Sequence, residues 1–514
     1  MLLEFLALFV VALVLAYRWS TASFNFFKQR GIPYNKPYPL VGSNGKIIFG
    51  KQSNFNLIID LYNEGKGKVF GIFEQMSPVL MIRDPELIKQ ITVKDFDHFI
   101  NHRSFFGTDG EAPHDIDHLF FSSLFTMRDA RWRDMRTTLS PAFTGSKMRY
   151  MFQLMNVVAK EAVDYLKRDP LPEAGLELDM KDYSLRFTND VIASTAFGLE
   201  VNSFKDRENT FYIMGKNLTT FTFLQGLKFV IFRTAHSLFK LLKLPLFDRV
   251  SSKYLMDIVL DTMKYRKEHN IVRPDMIHLL MESRGMIPSE KSNVNTDRDW
   301  DDYELAAQCF VFFFAGLEMS SKLMCFTGQE LMENVDVQDK LYAEIAEVDS
   351  QLEGGQVTYD VLMGMKYLDQ VVNEVLRKWP PSLSVDRECN KDIYYEADGK
   401  IIKIKKGDCI FLPNCALHYD PKYFENPTKF DPERFSDENK HKINPFTYFP
   451  FGLGKRSCIG SRFALLKAKA LIYYMLRDFR IEPASKSTIP LDLMSAGLQV
   501  KPKDGFWIQL VPRD

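Results

Sequence analysis

The 514-residue sequence contains only six cysteines and no pair with CxxC spacing, so neither a disulfide-stabilised scaffold nor a structural zinc site is expected. It has no excess of charge of either sign, because 66 Lys and Arg residues balance 66 Asp and Glu residues. A neutral chain lacks the cationic surplus that binding to phosphates requires, which excludes nucleic acid as the main partner. The sequence also has no internal repeat, no low-complexity tract and no second linker, so one continuous body is expected from about residue 30 to the end.

The abundant residue types describe a globular chain with a large interior. Hydrophobic residues make up 46% of the sequence and charged residues 26%, proportions typical of a folded chain with an ample core. The 43 phenylalanines and 22 methionines suit a large apolar interior or a cavity for a lipophilic ligand.

The N-terminus has an apolar segment about as long as a membrane helix. Residues 2–17 are apolar at fifteen of sixteen positions, with Glu4 as the exception, and Trp19 follows as an interfacial aromatic residue. A cleaved signal peptide is the alternative, but it requires a basic leading segment and a small-residue cleavage site. Residues 18–50 include five basic and no acidic residues, and such a positive flank stays in the cytosol. The sequence therefore predicts a retained transmembrane anchor at 1–20.

A basic and proline-rich connector follows the anchor at 21–45. Pro33, Pro37 and Pro39 fix the backbone and exclude helix, which favours a stiff link or an ordinary entry loop. The catalytic domain is then predicted at 46–514.

Periodicity predicts a mostly α-helical domain with a smaller β portion. Asp84-Pro85 carries a helix-start signal, with the aspartate as cap and the proline in the first turn. Residues 301–333 have helical composition without proline. The dipeptide Asp398-Gly399 lies between two short β-type runs and favours the tight turn of a hairpin.

The segment FGLGKRSCIG near the C-terminus concentrates the chemistry. Cys458 precedes a predicted helix, whose positive dipole end and free amides stabilise a thiolate. Gly454 and Gly460 allow the backbone to approach a flat group, and Phe451 places an aromatic edge beside the sulfur. Arg456 can bind a nearby anion. These residues together describe a thiolate-ligated haem, whereas the commoner alternative for a lone cysteine is a buried inert thiol.

This segment resembles the cysteine-ligand loop of the cytochrome P450 superfamily, F-x-x-G-x-R-x-C-x-G, at every fixed position. Glu374 and Arg377 match the E-x-x-R motif of that family, and Arg434 lies in its P-E-R-F motif. The resemblance implies a cytochrome P450 fold around a buried haem b (iron protoporphyrin IX), with Cys458 as the axial ligand of the iron. It also implies that Glu374, Arg377 and Arg434 form a structural charge triad.

The resemblance further implies that several side chains hold the haem. Trp132 and Arg136 form the W-x-x-x-R motif that contacts a haem propionate in the family. Arg387 and Arg456 match further propionate-binding positions, and Arg103 is a candidate for another. Guanidinium groups are fitting donors for carboxylates.

The stretch AGLEMS, in the middle of the predicted 301–333 helix, resembles the oxygen-activation motif of the family. The small residue Ala315 leaves room over the iron, and Glu318 can relay protons. Met319 stands where the family usually has threonine, and a methionine donates no O–H. Ser320 follows but points about 100° further around the helix.

The resemblance places substrate contacts in four regions rich in bulky apolar residues, any one of which can instead belong to the core. The candidate pocket residues are Phe105, Phe106, Phe120, Phe121, Phe312, Leu383 and Leu498. The stretch 211–247 carries seven phenylalanines and is expected either to dip into the bilayer or to form internal helices.

Basic residues flank the haem motifs, and they suit docking of an acidic electron donor, with scattered solvated lysines as the alternative. In this family the donor is the NADPH–cytochrome P450 reductase, and cytochrome b5 is a second candidate partner. The basic residues are Arg131, Arg133, Lys440, Lys442, Lys455, Lys467 and Lys469.

The finer resemblance, through FFFAGLE and GMKYLDQVVNEVLRKWPP, is to insect microsomal enzymes of family 9 and the related family 6. It implies a haem-thiolate monooxygenase of the endoplasmic reticulum membrane, facing the cytosol, which oxidises lipophilic xenobiotics or endogenous lipids with O2 and electrons from NADPH. Thiolate donation from Cys458 favours O–O cleavage. Met319 leaves open an isomerase or lyase that acts on peroxides, and a haem protein that only binds hydrophobic ligands is the third alternative.

Overall fold

The computed structural model describes residues 1–103, 115–168, 175–220, 223–234, 239, 241–242, 244–273, 275–287, 300–494 and 500–513. Helices dominate this part of the chain, as the sequence predicts. They are α1 (Leu2–Thr21), α2 (Phe26–Gln29), α3 (Gly45–Ile48), α4 (Asn54–Glu64), α5 (Pro85–Lys89), α6 (Asp129–Leu139), α7 (Gly145–Leu166), α8 (Met180–Ile192), α9 (Thr210–Thr219), α10 (Phe223–Thr234), α11 (Arg249–His269), α12 (Met276–Ser283), α13 (Asp302–Glu333), α14 (Val335–Gln351), α15 (Tyr359–Gly364), α16 (Lys366–Lys378), α17 (Asn414–His418) and α18 (Ser461–Asp478).

Strands of the described residues form three small sheets. The first has the order β1-β2-β7-β4, in which β2 and β7 run parallel; the second has the order β3-β9-β8, and β5 pairs with β6 in a hairpin. The strands are β1 (Val69–Glu74), β2 (Ser77–Ile82), β3 (Leu176–Asp179), β4 (Val385–Glu388), β5 (Ile393–Ala397), β6 (Lys400–Ile404), β7 (Cys409–Leu412), β8 (Phe479–Glu482) and β9 (Trp507–Pro512).

The local signals in the sequence have the predicted geometry. The Asp84 carboxylate accepts the Leu87 amide at 2.9 Å and caps α5, whose first residue is Pro85. Asp398 and Gly399 have positive φ values of 52° and 70°, so the β5–β6 hairpin closes in a primed turn. Both predictions are confirmed.

Helix α13 is the central element, and it divides the core into two clusters. Asp301 and Glu304 form a capping box at its start. The first half of the helix contributes Phe313 and its neighbours to one buried cluster, and the second half contributes Leu323 and its neighbours to the other. The boundary between the clusters lies at the AGLEMS stretch, which positions that stretch between two halves of the protein.

The N-terminal helix α1 exposes its apolar side chains, unlike the helices of the core. It has 20 residues, a mean hydropathy of 2.0 and no buried part in its most apolar window, so its length and composition suffice to cross a membrane. Helix α13 passes the same test but is mostly buried, and it is a core helix. The large exposed apolar surface of α1 requires an apolar environment.

Residues 21–45 pack against the first sheet. The Phe27 ring is fully buried, and it contacts Tyr34 and Phe73 at centroid distances of 5.8 and 5.1 Å. A Cβ atom at Gly71 of β1 would lie 2.6 Å from the Phe27 ring, so only glycine allows this approach. The proline-rich segment thus belongs to the folded body as well as linking it to α1.

A buried ion pair joins α16 to the segment that leads into the cysteine loop. Arg377 donates two hydrogen bonds, of 2.7 and 2.8 Å, to the Glu374 carboxylate, and both side chains are fully buried. Arg434 approaches the same carboxylate at 3.4 Å, and the Asp431 amide donates to it at 2.9 Å. Arg377 also donates to the carbonyl of His418 at 2.9 Å. Both buried charges, on Glu374 and Arg377, therefore have the ionic partner and the hydrogen bonds that burial requires.

The fully buried His418 extends this network to the cysteine loop. The Phe449 amide can only donate, so at 3.2 Å the Nε2 atom of His418 must accept. The proton then lies on Nδ1, which donates to the Arg377 carbonyl at 3.0 Å. Protonation would put a second N–H against the Phe449 amide, and burial together with the Arg377 charge lowers the pKa of His418 to about 3.

We expect His418 to make the fold sensitive to acid. The unfolded chain binds a proton at this histidine below its ordinary pKa of 6.5, whereas the native protein resists protonation down to about 3. Stability from this group is therefore complete above pH 6.5 and is lost as pH falls, by about 2 kcal/mol at pH 5. Urea unfolding between pH 8 and pH 5 measures the loss. His418→Gln, which has no titrating ring, should flatten the slope, while the exposed control His441→Gln should keep it; equal slopes in all three proteins would contradict the prediction.

Candidate active site

Backbone hydrogen bonds hold the cysteine loop in place ahead of α18. The Cys458 amide donates to the Phe451 carbonyl at 2.8 Å, and the Gly460 amide donates to the Cys458 sulfur. Gly454 has φ of 65°, and a Cβ atom there would lie 2.1 Å from the Thr92 carbonyl oxygen. Gly454 and Gly460 are predicted to let the backbone approach a flat group. In the structure, Gly454 fits closely against Thr92, and Gly460 has an ordinary φ.

The Cys458 thiol opens onto an internal space. Five of the six cysteines are buried or partly buried, whereas Cys458 is exposed. Protein atoms nevertheless surround this thiol almost completely, so the surface that it exposes faces a cavity rather than bulk solvent. Burial raises the pKa of Cys458, while the Gly460 amide and the positive charge of Arg136 lower it. A metal ion bound at this thiol would displace its proton to solvent, since coordination favours the thiolate.

One face of α13 is open within a helix that is otherwise buried. Ala315 and Met319 are exposed, the latter to 37%, although the helix is buried on either side of them. Phe312 is half-buried on the same face, and its ring stacks on Phe143 at a centroid distance of 5.4 Å. The Phe143 ring is also the nearest group to a Cβ atom built at Gly460, at 3.9 Å. Phe143 therefore links the cysteine loop to the face of α13 that carries Ala315 and Met319.

Arg456 is buried, and no carboxylate of the described residues forms an ion pair with it. Its guanidinium donates to the carbonyls of Ile100, Leu124 and Met127 at 2.8, 3.1 and 2.6 Å. The same guanidinium lies 4.1 Å from the centroid of the Trp132 ring, so Trp132 stacks against this arginine. Burial, with a further contribution from nearby arginines, lowers the pKa of Arg456 to about 8.

Arg387 on β4 and Arg136 on α6 are also without a carboxylate among the described residues. Arg387 is fully buried, and its Nε and Nη2 atoms have no hydrogen-bond partner, while Nη1 donates to the Asp386 carbonyl at 2.6 Å. Burial lowers the pKa of Arg387 to about 10 and lowers the pKa of Arg136. A buried guanidinium with unused donors calls for an anion that the described part of the protein does not supply.

Arg103 and His102 have a different role from the one predicted for Arg103. The Arg103 side chain donates to Glu74 and lies 4.0 Å from Asp386, and its amide donates to Asp386 at 2.7 Å. His102 Nδ1 lies 3.0 Å from the same carboxylate. The Arg103 charge is thus compensated by protein carboxylates, and it does not need a cofactor carboxylate. Nothing in the sequence marked Glu74 or Asp386 as its partners, because they come from distant strands.

The charge balance of this cluster fits haem. The described residues of this cluster comprise five arginines and three carboxylates, which leaves a net charge of +2, and three of the arginines have no carboxylate partner in this set. Haem b carries two propionates and an iron that takes a thiolate ligand, which matches this surplus and the open Cys458. The arginines are Arg103, Arg128, Arg136, Arg387 and Arg456, and the carboxylates are Glu74, Asp386 and Glu388.

Of the three predicted catalytic residues, only Met319 lies on the open face of α13. Glu318 is buried, with Lys181 Nζ at 2.9 Å and Lys322 Nζ at 3.4 Å from its carboxylate oxygens. The two lysine charges lower the pKa of Glu318 against the raising effect of burial. Ser320 is buried as well. Sequence reasoning missed both lysines, although Lys322 is one helical turn from Glu318 and could have been found by that spacing.

A cluster of phenylalanine rings contacts α13 at Phe314. Phe120 contacts Phe247 and Phe314 at centroid distances of 5.3 and 5.9 Å, and Phe121 contacts Phe232 at 6.0 Å. We call this group of five rings the phenylalanine roof. It contains two predicted pocket residues, Phe120 and Phe121, and two from the 211–247 stretch.

The other predicted pocket residues lie in the core or outside the described part of the chain. Leu383 is buried in the core cluster that contains Leu323. Phe105, Phe106 and Leu498 lie outside the described residues. In the 211–247 stretch, the described Phe211, Phe232 and Phe239 are buried, while the exposed apolar residues are Leu224, Leu241 and Leu242.

The predicted basic face is smaller than the sequence suggested. Lys467 and Lys469 are fully buried, so the interpretation of both as docking residues is wrong. Their positions on α18 turn them toward α13 and α16, and the Lys469 ammonium pairs with Asp369 at 2.7 Å. The remaining five lie on the surface: Arg131, Arg133, Lys440, Lys442 and Lys455.

Comparison with known proteins assigns the family. Residues 32–508 match the family model described as Cytochrome P450. The chain is 64% identical to "Probable cytochrome P450 9f2" of Drosophila melanogaster, over the full length of both chains. It is 40% identical to "Cytochrome P450 9e2" of Blattella germanica, over 97% of this chain and 96% of the relative, and 34% identical to "Cytochrome P450 3A11" of Mus musculus, over 100% and 97%.

Arg387→Met should have opposite effects on the haem-free and haem-bound proteins. Removing a buried charge without a carboxylate should stabilise the haem-free protein by about 1–3 kcal/mol, and the loss of an anion donor should weaken haem binding. Urea unfolding of protein expressed without haem, and the rate of haem transfer to apomyoglobin, measure the two effects.

Arg377→Met is the matched control, because that buried arginine has its carboxylate partner. It should destabilise both forms, by about 3–5 kcal/mol, since it leaves Glu374 buried and short of a partner. If Arg387→Met destabilised the haem-free protein as Arg377→Met does, the assignment of Arg387 to a cofactor carboxylate would be wrong.

Proposed function

The chain belongs to the cytochrome P450 family and is a monooxygenase of that family, and we propose that it oxidises lipophilic small molecules at the surface of the endoplasmic reticulum. Bound haem supplies the iron at which dioxygen is reduced and one oxygen atom is transferred to the substrate. The observation that carries the proposal is the exposed Cys458 thiol, in a loop that Phe143 links to the face of α13 exposing Ala315 and Met319. Cys458 is the proposed iron ligand, and Arg136, Arg387 and Arg456 are the proposed propionate donors.

The substrate class follows from the phenylalanine roof. Phe120, Phe121, Phe232, Phe247 and Phe314 present only apolar edges and faces, which favour lipophilic compounds with few hydrogen-bonding groups. Such compounds include plant toxins, insecticides and endogenous lipids.

The membrane is the proposed source of these substrates. Helix α1 has the length and hydropathy of a single membrane span, and the five basic and no acidic residues of 18–50 favour a cytosolic body. The exposed Leu224, Leu241 and Leu242 lie within the same stretch that contributes Phe232 and Phe247 to the roof. A route from lipid into the pocket along this stretch suits lipophilic substrates.

The proposed electron donor is the NADPH–cytochrome P450 reductase, with cytochrome b5 as an additional partner. Five basic residues lie on the surface around the haem motifs, and a basic face favours docking of an acidic flavoprotein. Lys455 lies within the cysteine loop itself, which makes it the surface charge nearest in sequence to the proposed iron ligand.

Proton supply to the open face has an unusual arrangement. Met319 offers no O–H, and Glu318 is held by Lys181 and Lys322. Lys181 is 30% exposed and also donates to Ser321 at 2.8 Å, so it connects the Glu318 carboxylate to solvent. We propose that protons enter through Lys181 and Glu318 and reach the open face through water.

The absence of a hydroxyl at 319 also favours a second candidate function, an isomerase that rearranges peroxides without needing protons from solvent.

Cys458→His tests the proposed function. The ferrous carbon-monoxide complex of the native protein should have the red-shifted band of thiolate ligation, and the variant should lack it, because imidazole donates less charge to the iron. The control is Cys409→Ser, which should keep the band. A thiolate band in Cys458→His would move the ligand to another cysteine.

Reductase-dependent oxidation of NADPH with formation of hydroxylated product supports the monooxygenase, whereas rearrangement of a lipid peroxide without NADPH supports the isomerase.

Met319→Thr tests the proton supply. A hydroxyl on the open face should hold water there and raise the share of NADPH recovered as product, at the expense of hydrogen peroxide. A change of about 1.4 kcal/mol between the two barriers would alter the ratio tenfold. Glu318→Gln, which keeps a partner for Lys181 and Lys322, should slow turnover with little effect on substrate binding. High coupling in the native protein, unchanged by Met319→Thr, would mean that the missing hydroxyl has no influence.

A further inference from the structure

Lys467 occupies a position that the proposed function does not explain. It lies on α18, nine residues after Cys458, and is fully buried. Its Nζ atom donates a hydrogen bond of 2.9 Å to the carbonyl oxygen of Gly316, in the middle of α13. A carbonyl oxygen has two lone pairs, so Gly316 can accept from Lys467 as well as from the amide one turn along its own helix.

Among the residues that the structure describes, Lys467 has no polar partner other than the Gly316 carbonyl. None of the described residues pairs a carboxylate with it, and its ammonium lies 5.2 Å from the centre of the Phe463 ring. Burial alone lowers the pKa of Lys467 to about 7. The bond to Gly316 does not depend on the charge, because a neutral amine still carries N–H donors. Burying an amine costs free energy unless it is hydrogen-bonded, and for Lys467 the Gly316 carbonyl provides that hydrogen bond.

Gly316 is also confined from the opposite side. A Cβ atom there would lie 3.0 Å from Cδ1 of Ile192 on α8, so the helix backbone is already in close contact with that helix. The next carbonyl, that of Leu317, accepts a hydrogen bond from Thr188 at 3.4 Å. The single proton of the Thr188 hydroxyl has a closer acceptor in its own helix, the Ser184 carbonyl at 2.9 Å, so Lys467 is the stronger side-chain donor to this turn of α13.

We propose that Lys467 is a positioning residue that fixes the central turn of α13 relative to the helix of the cysteine loop. Cys458 lies directly before α18, the open face belongs to α13, and Lys467 makes a direct hydrogen bond from α18 to α13. Met319 provides no hydroxyl to organise water on this face, so the placement of the backbone carbonyls and of Glu318 depends on the packing of the helix itself. Loss of the bond should let this turn fluctuate and admit additional water.

The first test follows backbone motion in the full-length, haem-loaded protein. Hydrogen–deuterium exchange of peptides covering 312–324 should become about tenfold faster in Lys467→Met, which keeps an unbranched apolar chain without a donor. Tenfold corresponds to about 1.4 kcal/mol, the size expected for one buried hydrogen bond. Lys467→Gln, which restores a neutral donor, should exchange more slowly than Lys467→Met.

Lys469→Met is the matched control. Lys469 is equally buried on the same helix but pairs with Asp369 on α16, so its loss should leave exchange at 312–324 unchanged. Native-like exchange in Lys467→Met, or equal acceleration in both variants, would overturn the proposal, since the second result reports general loosening of α18.

The second test measures coupling, and it alone rests on the proposed monooxygenase function. With one oxidised substrate, Lys467→Met should release several-fold more hydrogen peroxide per NADPH than the native protein, at an unchanged substrate dissociation constant and with the thiolate band intact. Lys467→Gln should recover part of the coupling, and Lys469→Met should match the native protein. If exchange became faster in Lys467→Met but coupling stayed at the native value, the catalytic consequence would be overturned. If the native protein oxidised no NADPH at all, the proposed function would be refuted. The exchange measurement would then remain as the test of the hydrogen bond.

Discussion

The arrangement of the cysteine loop depends on the buried ion pair between Glu374 and Arg377. Two hydrogen bonds satisfy the pair internally, and the spare donors of Arg377 hold the carbonyls of His418 and Lys429. His418 in turn accepts the Phe449 amide, two residues before Phe451. A buried pair of this kind adds little net stability compared with apolar residues, but removing one partner leaves a charge stranded. Its contribution is to specify one position for the loop, since only that position satisfies every donor.

The described fold and much of the site could be predicted where the determinants are local in sequence. The Asp84 cap, the Asp398-Gly399 turn and the helix beginning after Asp301 each rest on residues within four positions of one another. The cysteine loop is equally local. Lys467 and Lys469 show the limit, because composition marks a lysine as exposed by default and only the packing of α18 against α13 and α16 reveals that both are buried.

The charge balance at the haem site is a second property that no local pattern contains. Whether an arginine serves a cofactor depends on how many carboxylates reach it, and these come from separate strands and loops. Arg103 has Glu74 and Asp386 within reach, so its charge is compensated. Arg387 follows Asp386 in β4, and successive side chains of a strand point to opposite faces, so the Asp386 carboxylate bonds with His102 and the Arg103 amide while two nitrogen atoms of Arg387 have no partner. The direction in which a strand residue points thus separates a structural arginine from a candidate cofactor ligand.

Because α13 lies between two buried clusters, its central turn needs additional contacts from neighbouring helices to hold its position. The two buried clusters meet along α13, and the helix is open to the internal space between them at Ala315 and Met319. A helix loses lateral support where its neighbours are absent, and the functional turn is placed at that point. Ile192 and Thr188 on α8 and Lys467 on α18 restore contacts to its backbone there. Backbone carbonyls are suitable anchor points because they leave the side chains of the open face free for substrate and water. The protein thereby keeps a cavity in its centre while holding the helix that borders it in one position.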